Sequence, residues 1–134
     1  MLKPLLLIIL SSLLLSAENS CNNKTTTATA ANDSCFKGRL EIKGICSNYT
    51  IRVVEGRIDT SLVAANWHDE NTGKEYTNVF ALDSPCSFPS DINEGDEFYF
   101  TINPQKDKDC NVCMAYYPTP QKKLAIKVFK AACK

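Results

Sequence analysis

From Leu40 onward, apolar and polar residues alternate in short runs at the two-residue period of half-buried strands, and helical periodicity is weak throughout. Leu40, Ile42 and Ile45 precede a break at Cys46-Ser47-Asn48, after which Tyr49, Ile51 and Val53 alternate with Thr50, Arg52 and Val54. This predicts a first hairpin. Leu62 to Trp67 and Tyr76 to Leu82 flank Asp69-Glu70-Asn71-Thr72-Gly73-Lys74, whose Asn and Gly suit a reversal with a left-handed position, so a second hairpin is expected there. Asn93-Glu94-Gly95-Asp96 is a further turn, and it launches Glu97 to Ile102, with Phe98, Phe100 and Ile102 on one face. Leu124 to Phe129 reads as the last strand, with Leu124, Ile126 and Val128 together. Ser61 to Ala65 has room for one helical turn. About five to seven short strands in this span predict an all-β fold: a small antiparallel β-barrel, or alternatively a β-sandwich.

Ahead of the strands, the pattern changes twice. Met1-Leu2-Lys3 is a short positive start, and Leu5 to Leu15 is apolar apart from Ser11 and Ser12. An apolar core of about eleven residues has signal-peptide length and falls well short of the roughly 20 needed to span a bilayer. Asn22 to Asn32 then holds only Asn, Lys, Thr and Ala, with nothing large to bury, so it cannot repay the entropy of being ordered. The expected organisation is a signal peptide over 1–20, a flexible tether over 21–34 and one β domain over 35–134. Such a tether holds a domain roughly 20 Å from a surface.

The seven cysteines sharpen this division. Cys21 stands alone behind the leader, whereas Cys35, Cys46, Cys86, Cys110, Cys113 and Cys133 fall in the domain. Six can close as three disulfides in an oxidising compartment, a useful supplement for a domain of about 100 residues with a modest core. Their spacing does not choose among the pairings, except that Cys35 and Cys133 bracket the domain, and chain ends of compact domains often lie close together. That pair is the first expectation.

Charge removes some functions. The chain has 15 basic and 15 acidic residues and a pI near 6.6, with no basic run to track phosphates, so nucleic acid is not expected as a partner. Cys110-Asn111-Val112-Cys113 has the spacing of a redox pair, but no helical pattern follows it to lower a thiol pKa, and both cysteines read as staples in a loop. A zinc site would want further ligands, and His68 is the only histidine, so no metal or cofactor is expected. Trp67-His68-Asp69-Glu70 gathers groups used in acid–base chemistry, but at the end of a strand its polar members are expected to be solvated. Tyr116, Tyr117 and Pro118 form a proline-stiffened aromatic loop, and with Trp67 they are the candidate binding residues, because amphipathic rings lose little freedom on contact. Asn23, Asn32 and Asn48 open glycosylation sequons.

Two resemblances add to this reading. Leu13-Leu14-Leu15-Ser16-Ala17-Glu18-Asn19-Ser20-Cys21-Asn22-Asn23-Lys24 resembles the start of small bacterial lipoproteins, in which cleavage before the cysteine leaves it as the lipid-bearing first residue. Glu18 departs from the usual apolar residue three places ahead, and Ser16-Ala17 would suit ordinary cleavage near Glu18. The Glu94-Gly95-Asp96 turn feeding a Phe-rich strand is similar to the corresponding turn of OB-fold barrels, of which the disulfide-stapled netrin-like domain of metalloproteinase inhibitors is an exported example. The resemblances imply an exported protein of the cell envelope, membrane-anchored through a lipid on Cys21 or, alternatively, secreted and soluble. The expected function is a non-enzymatic binding module for an unknown protein or small-molecule ligand. Alternatives are a thiol-disulfide redox protein using Cys110 and Cys113, and a secreted hydrolase inhibitor.

Overall fold

The computed structural model describes residues 34–105, 107 and 110–133; the leader, Cys21 and the tether up to Asp33 lie outside the described residues. The strands are β1 (Phe36–Lys43), β2 (Tyr49–Glu55), β3 (Ala64–His68), β4 (Glu75–Leu82), β5 (Glu97–Ile102), β6 (Lys123–Leu124) and β7 (Ile126–Phe129), with a short 3-10 turn at Ile45–Ser47. All belong to one sheet, whose hydrogen-bonded path runs β3-β4-β2-β1-β5-β7, with β6 beside β4 off that path. The fold is therefore all-β and almost wholly antiparallel; only the short β4–β6 contact is parallel. No helix among the described residues is long and apolar enough to cross a membrane.

One face of the sheet makes the core. Phe36 and Leu40 of β1, Ile51 and Val53 of β2, Phe80 and Leu82 of β4, and Phe98 and Phe100 of β5 are buried together, joined by Phe88 and Ile92 from the β4–β5 connection. The aromatic rings meet at tilted or edge-on angles, with Phe80 and Phe100 centroids 5.7 Å apart and Phe88 and Phe98 5.5 Å apart. Such geometry suits the ring quadrupoles better than a face-to-face sandwich.

The opposite face carries a smaller cluster, and two irregularities create it. β1 and β2 pair Leu40 with Ile51 but Ile42 with Thr50, so Glu41 is an extra residue in β1. A one-residue slip turns the following side chain to the other face, which takes Ile42 out of the main core. In β4, Asn78 has φ 53°, breaking the strand's alternation, so that Tyr76 and Val79 cluster together even though they are an odd number of residues apart. Ile42, Tyr76 and Val79 are buried there, with Ala64, Trp67 and Tyr117 packed against them.

Connections are pinned individually. Gly73 has φ +69° in the β3–β4 turn, where Asp69 N–H donates to Lys74 O at 2.9 Å and Gly73 N–H to Asp69 O at 2.8 Å. The Asn93-to-Asp96 turn docks on β1 through Gly95 N–H to Leu40 O at 2.8 Å and Leu40 N–H to Asp96 O at 3.1 Å. Lys43 Nζ donates to Ile92 O at 2.7 Å and Ser90 O at 3.1 Å, holding the approach to that turn. Leu124, Ala125 and Ile126 are all buried where the chain passes from β6 to β7. There the buried Ser84 hydroxyl accepts from Ile126 N–H at 3.0 Å and donates to Ile126 O at 3.2 Å.

Candidate functional site

Between β5 and β6, from Asn103 to Lys122, the described residues form no helix or strand. A loop of this length without internal ladders has to be held from outside, or it is mobile. Two disulfides hold it. Cys113 is bonded to Cys46 in the β1–β2 turn, with Cα atoms 4.9 Å apart, and Cys110 is bonded to Cys86 in the β4–β5 connection, with Cα atoms 5.7 Å apart. The Asp107 carboxylate reinforces the second bond, its Oδ2 accepting from Cys86 N–H at 2.9 Å and Ser87 N–H at 3.0 Å. The third disulfide joins Cys35 to Cys133, closing the domain's two ends over a separation of 98 residues. Three disulfides place the domain in an oxidising environment, extracellular or exported.

The Cys110-x-x-Cys113 pair is thus split between two partners and holds no bond of its own. Cys86, Asp107 and Cys110 bring potential metal ligands within 4.8 Å of one another, but both sulfurs are spent in a disulfide and offer no thiolate.

The stapled loop brings its tyrosines to the outer cluster. Tyr117 is half-buried there and lies over Gly44; a methyl group at position 44 would sit 2.8 Å from its ring and 2.5 Å from Asn48 O. Trp67 on β3 stands opposite Tyr76 on β4, their rings stacked at 29° with centroids 5.7 Å apart. Tyr116 extends beyond them and is 82% exposed. Trp67, Tyr116 and Tyr117 line one open cleft of about 600 Å³. The three rings singled out from separate parts of the chain share a single site.

Of the polar lining, His68 and Glu70 belong to the group singled out in the sequence, whereas Asn66, Thr119, Gln121 and Lys122 carry no signal there. Asn66 and His68 come from β3, Glu70 from the turn, and Thr119, Gln121 and Lys122 from the far end of the loop. The four that carry no signal are ordinary surface residues in their own segments, and only the return of the loop onto β3 collects the set.

The grouping around His68 divides between a contact across the hairpin and the turn itself. His68 Nδ1 lies 2.6 Å from Glu75 Oε1 across the hairpin, both side chains exposed. Asp69 is not solvated: it is fully buried, accepting from Thr72 Oγ1 at 2.6 Å and Asn71 N–H at 3.1 Å, so it serves the turn. Burial raises the Tyr76 phenol above its usual pKa, and the nearby Asp69 charge adds to the effect. Asn48, the sequon residue inside the domain, spends its amide on Ile45 O at 2.8 Å and Ala115 O at 3.5 Å.

What the cleft can do is stack and hydrogen-bond a ligand against preset rings. Ile45, Val112, Met114 and Tyr116 are the large apolar side chains exposed among the described residues; the first three flank the Cys46–Cys113 bond without lining the cleft. No protein-family model, curated protein or solved structure matches the chain.

Proposed function

We propose that the chain is an exported, non-enzymatic binding module of the cell envelope, anchored through a lipid on Cys21, with the Trp67–Tyr116–Tyr117 cleft as its ligand seat. The observation that carries this reading is the convergence of three rings on one cleft of about 600 Å³, within the usual size range of ligand pockets, beneath a loop fixed by two disulfides. Preset rings lose little freedom on binding, which is how a small site gains affinity. The anchor is supported by the spare Cys21 behind the leader. Cys35 precedes the first residue of β1, and Gly44, beneath Tyr117, follows its last. At about 3.3 Å per residue, the strand separates Cys35 from Gly44 by roughly 25 Å, so the chain enters the domain away from the cleft.

For the scaffold we propose a small OB-like barrel. Its support is that the segment from Lys123 to Phe129 pairs with β4 at one end, Leu82 with Leu124, and with β5 at the other, Ile102 with Ile126. One continuous segment then joins the two flanks of the β4-β2-β1-β5 sheet.

The test uses the full-length exported chain and its Cys21→Ser and Tyr116→Ala variants. Wild type partitions with membranes and Cys21→Ser is released; wild type in the soluble fraction, beginning at Glu18, removes the anchor. Envelope extract, separated into glycan, protein and low-molecular-mass fractions, should produce a saturable change in Trp67 emission that Tyr116→Ala weakens roughly 30-fold without altering the melting temperature. Silence with every fraction removes the binding reading.

A further inference from the structure

We propose that the cleft takes an uncharged oligosaccharide, stacked on Tyr116 and Trp67 and hydrogen-bonded along its hydroxyl edges by Asn66 and Gln121; this rests on the cleft being the ligand seat. A sugar ring presents an apolar C–H face and a rim of hydroxyls, each both donor and acceptor. It needs a flat apolar platform with planar groups of mixed donor and acceptor character beside it.

The cleft has both. Its apolar lining is Trp67, Tyr116, Tyr117, Pro118 and Ala64, rings and small groups with no leucine, isoleucine, valine, methionine or phenylalanine. A peptide anchored by Leu, Ile or Phe wants concave aliphatic pockets, which this lining does not make. A proline-rich peptide does dock on aromatic grooves, but it brings carbonyl acceptors and few N–H donors, so it leaves the Asn66 and Gln121 amide oxygens unanswered. A lipid chain would strip water from the Asn66 and Gln121 amides and return no hydrogen bond, a cost with no compensation. Each of those amides offers two donors and an acceptor, the complement of a hydroxyl edge.

Two of the three rings, Trp67 and Tyr117, are packed in place on the outer cluster. Tyr76, stacked behind Trp67, holds the indole plane, and the Cys46–Cys113 bond fixes the loop that carries Tyr116 and Tyr117. Tyr116 presents its ring to solvent at 82% exposure, as a stacking surface must before it is filled. Charge points the same way. His68 is engaged with Glu75, which leaves Glu70 and Lys122, one of each sign, so the cleft holds no net field for a phosphate, a sulfated glycan or another ionic ligand.

The experiment exploits the fact that Trp67 is the chain's only tryptophan, so its emission reports on the cleft alone. The full-length protein is titrated in detergent with short neutral oligomers of glucan, mannan and chitin, and in parallel with a sulfated glycan and a pool of envelope peptides. At least one neutral oligomer should give a saturable change in emission that is insensitive to salt. Tyr116→Ala should weaken it roughly 30-fold, the scale of a true hot spot, and Asn66→Ala about tenfold, both at unchanged melting temperature, with Tyr116→Phe retaining binding. Binding of the peptide pool alone, or salt-sensitive binding of the sulfated glycan alone, overturns the inference and leaves the module reading standing. Failure of every probe, together with the envelope fractions, overturns both.

Discussion

The two faces of the sheet are built by different means. On the inner face, Phe80, Phe100, Leu40 and Ile51 are fully buried at strand positions whose alternation already sends them there, and apolar burial at roughly 25 cal/mol per Å² is sufficient reason for the packing. On the outer face, Ile42, Tyr76 and Val79 reach a common cluster only through an inserted Glu41 and a left-handed Asn78. What covers that cluster is a loop whose described residues form no strand or helix, held by Cys46–Cys113 and Cys86–Cys110. The inner face is a core that folds the chain. The outer face is a surface positioned by covalent bonds, and it leaves Tyr116 exposed beside the half-buried Trp67 and Tyr117, which a core does not tolerate.

The largest effects expected come from the disulfides, and two of them separate the faces. Cys35–Cys133 and Cys46–Cys113 span 98 and 67 residues. In the chain-entropy model each removal costs roughly 4 to 5 kcal/mol, so urea titrations of Cys35→Ser/Cys133→Ser and Cys46→Ser/Cys113→Ser should shift by similar amounts. Their folded states should differ. The first leaves Trp67 emission as in wild type, and the second shifts it to the red as Tyr117 lifts from the outer cluster. Equal emission from both would mean that packing, and not the staple, holds the loop.

The same contrast explains what the sequence disclosed. Strands such as Glu97–Ile102 were legible because Phe98 and Phe100 face the core while Tyr99 and Thr101 alternate with them. β1 begins at Phe36, ahead of the first periodic residue recognised, because Gly38 has no side chain to mark the core side, its place being taken by the Phe98 and Phe100 rings. The predicted strand from Leu62 starts later, at Ala64, with Leu62 and Val63 packing from the preceding turn. Leu124 to Phe129 reads as one strand and pairs as two, since β6 and β7 follow different neighbours, something no single segment encodes. Cys35–Cys133 follows from the closeness of domain ends, whereas the partners of Cys46 and Cys86 depend on where a long loop returns. For the same reason, the rings of the site could be named from the sequence but not brought together.

Next in size is the inner face itself. Phe100→Ala removes a fully buried ring in contact with Phe36, Phe80 and Phe98 and should cost about 3 to 5 kcal/mol. At the passage from β6 to β7, Ser84→Ala leaves Ile126 N–H and C=O without the hydroxyl that serves both, for a loss of about 2 kcal/mol. Hydrogen exchange should speed up at Ile126 in the Ser84→Ala variant, with the Tyr116-to-Lys122 end of the loop unaffected. A Ser84→Ala variant as stable as wild type would show that β4 and β7 do not depend on this bridge, and the barrel reading would lose its firmest joint.

The smallest effect separates the faces by pH. Tyr76, in the outer cluster, has a phenol pKa raised first by burial and then by the Asp69 charge. A raised pKa means that the folded state binds the proton more tightly than the unfolded chain, whose phenol titrates at about 10. The contribution is therefore fully present below that value and is lost as pH rises through the folded-state value. Lysine and the other tyrosines titrate in the same range, so the comparison has to be with Tyr76→Phe, which keeps the ring stacked on Trp67 and removes the proton. Between pH 9 and 12 the wild type should lose stability faster than Tyr76→Phe in urea titrations, while below pH 9 the difference between the two proteins should stay constant with pH. If the two decline in parallel above pH 10, ionisation of Tyr76 does not oppose the fold. The outer cluster would then be wet enough to accept a phenolate, and Trp67 would rest on a floor less rigid than its stacking geometry implies.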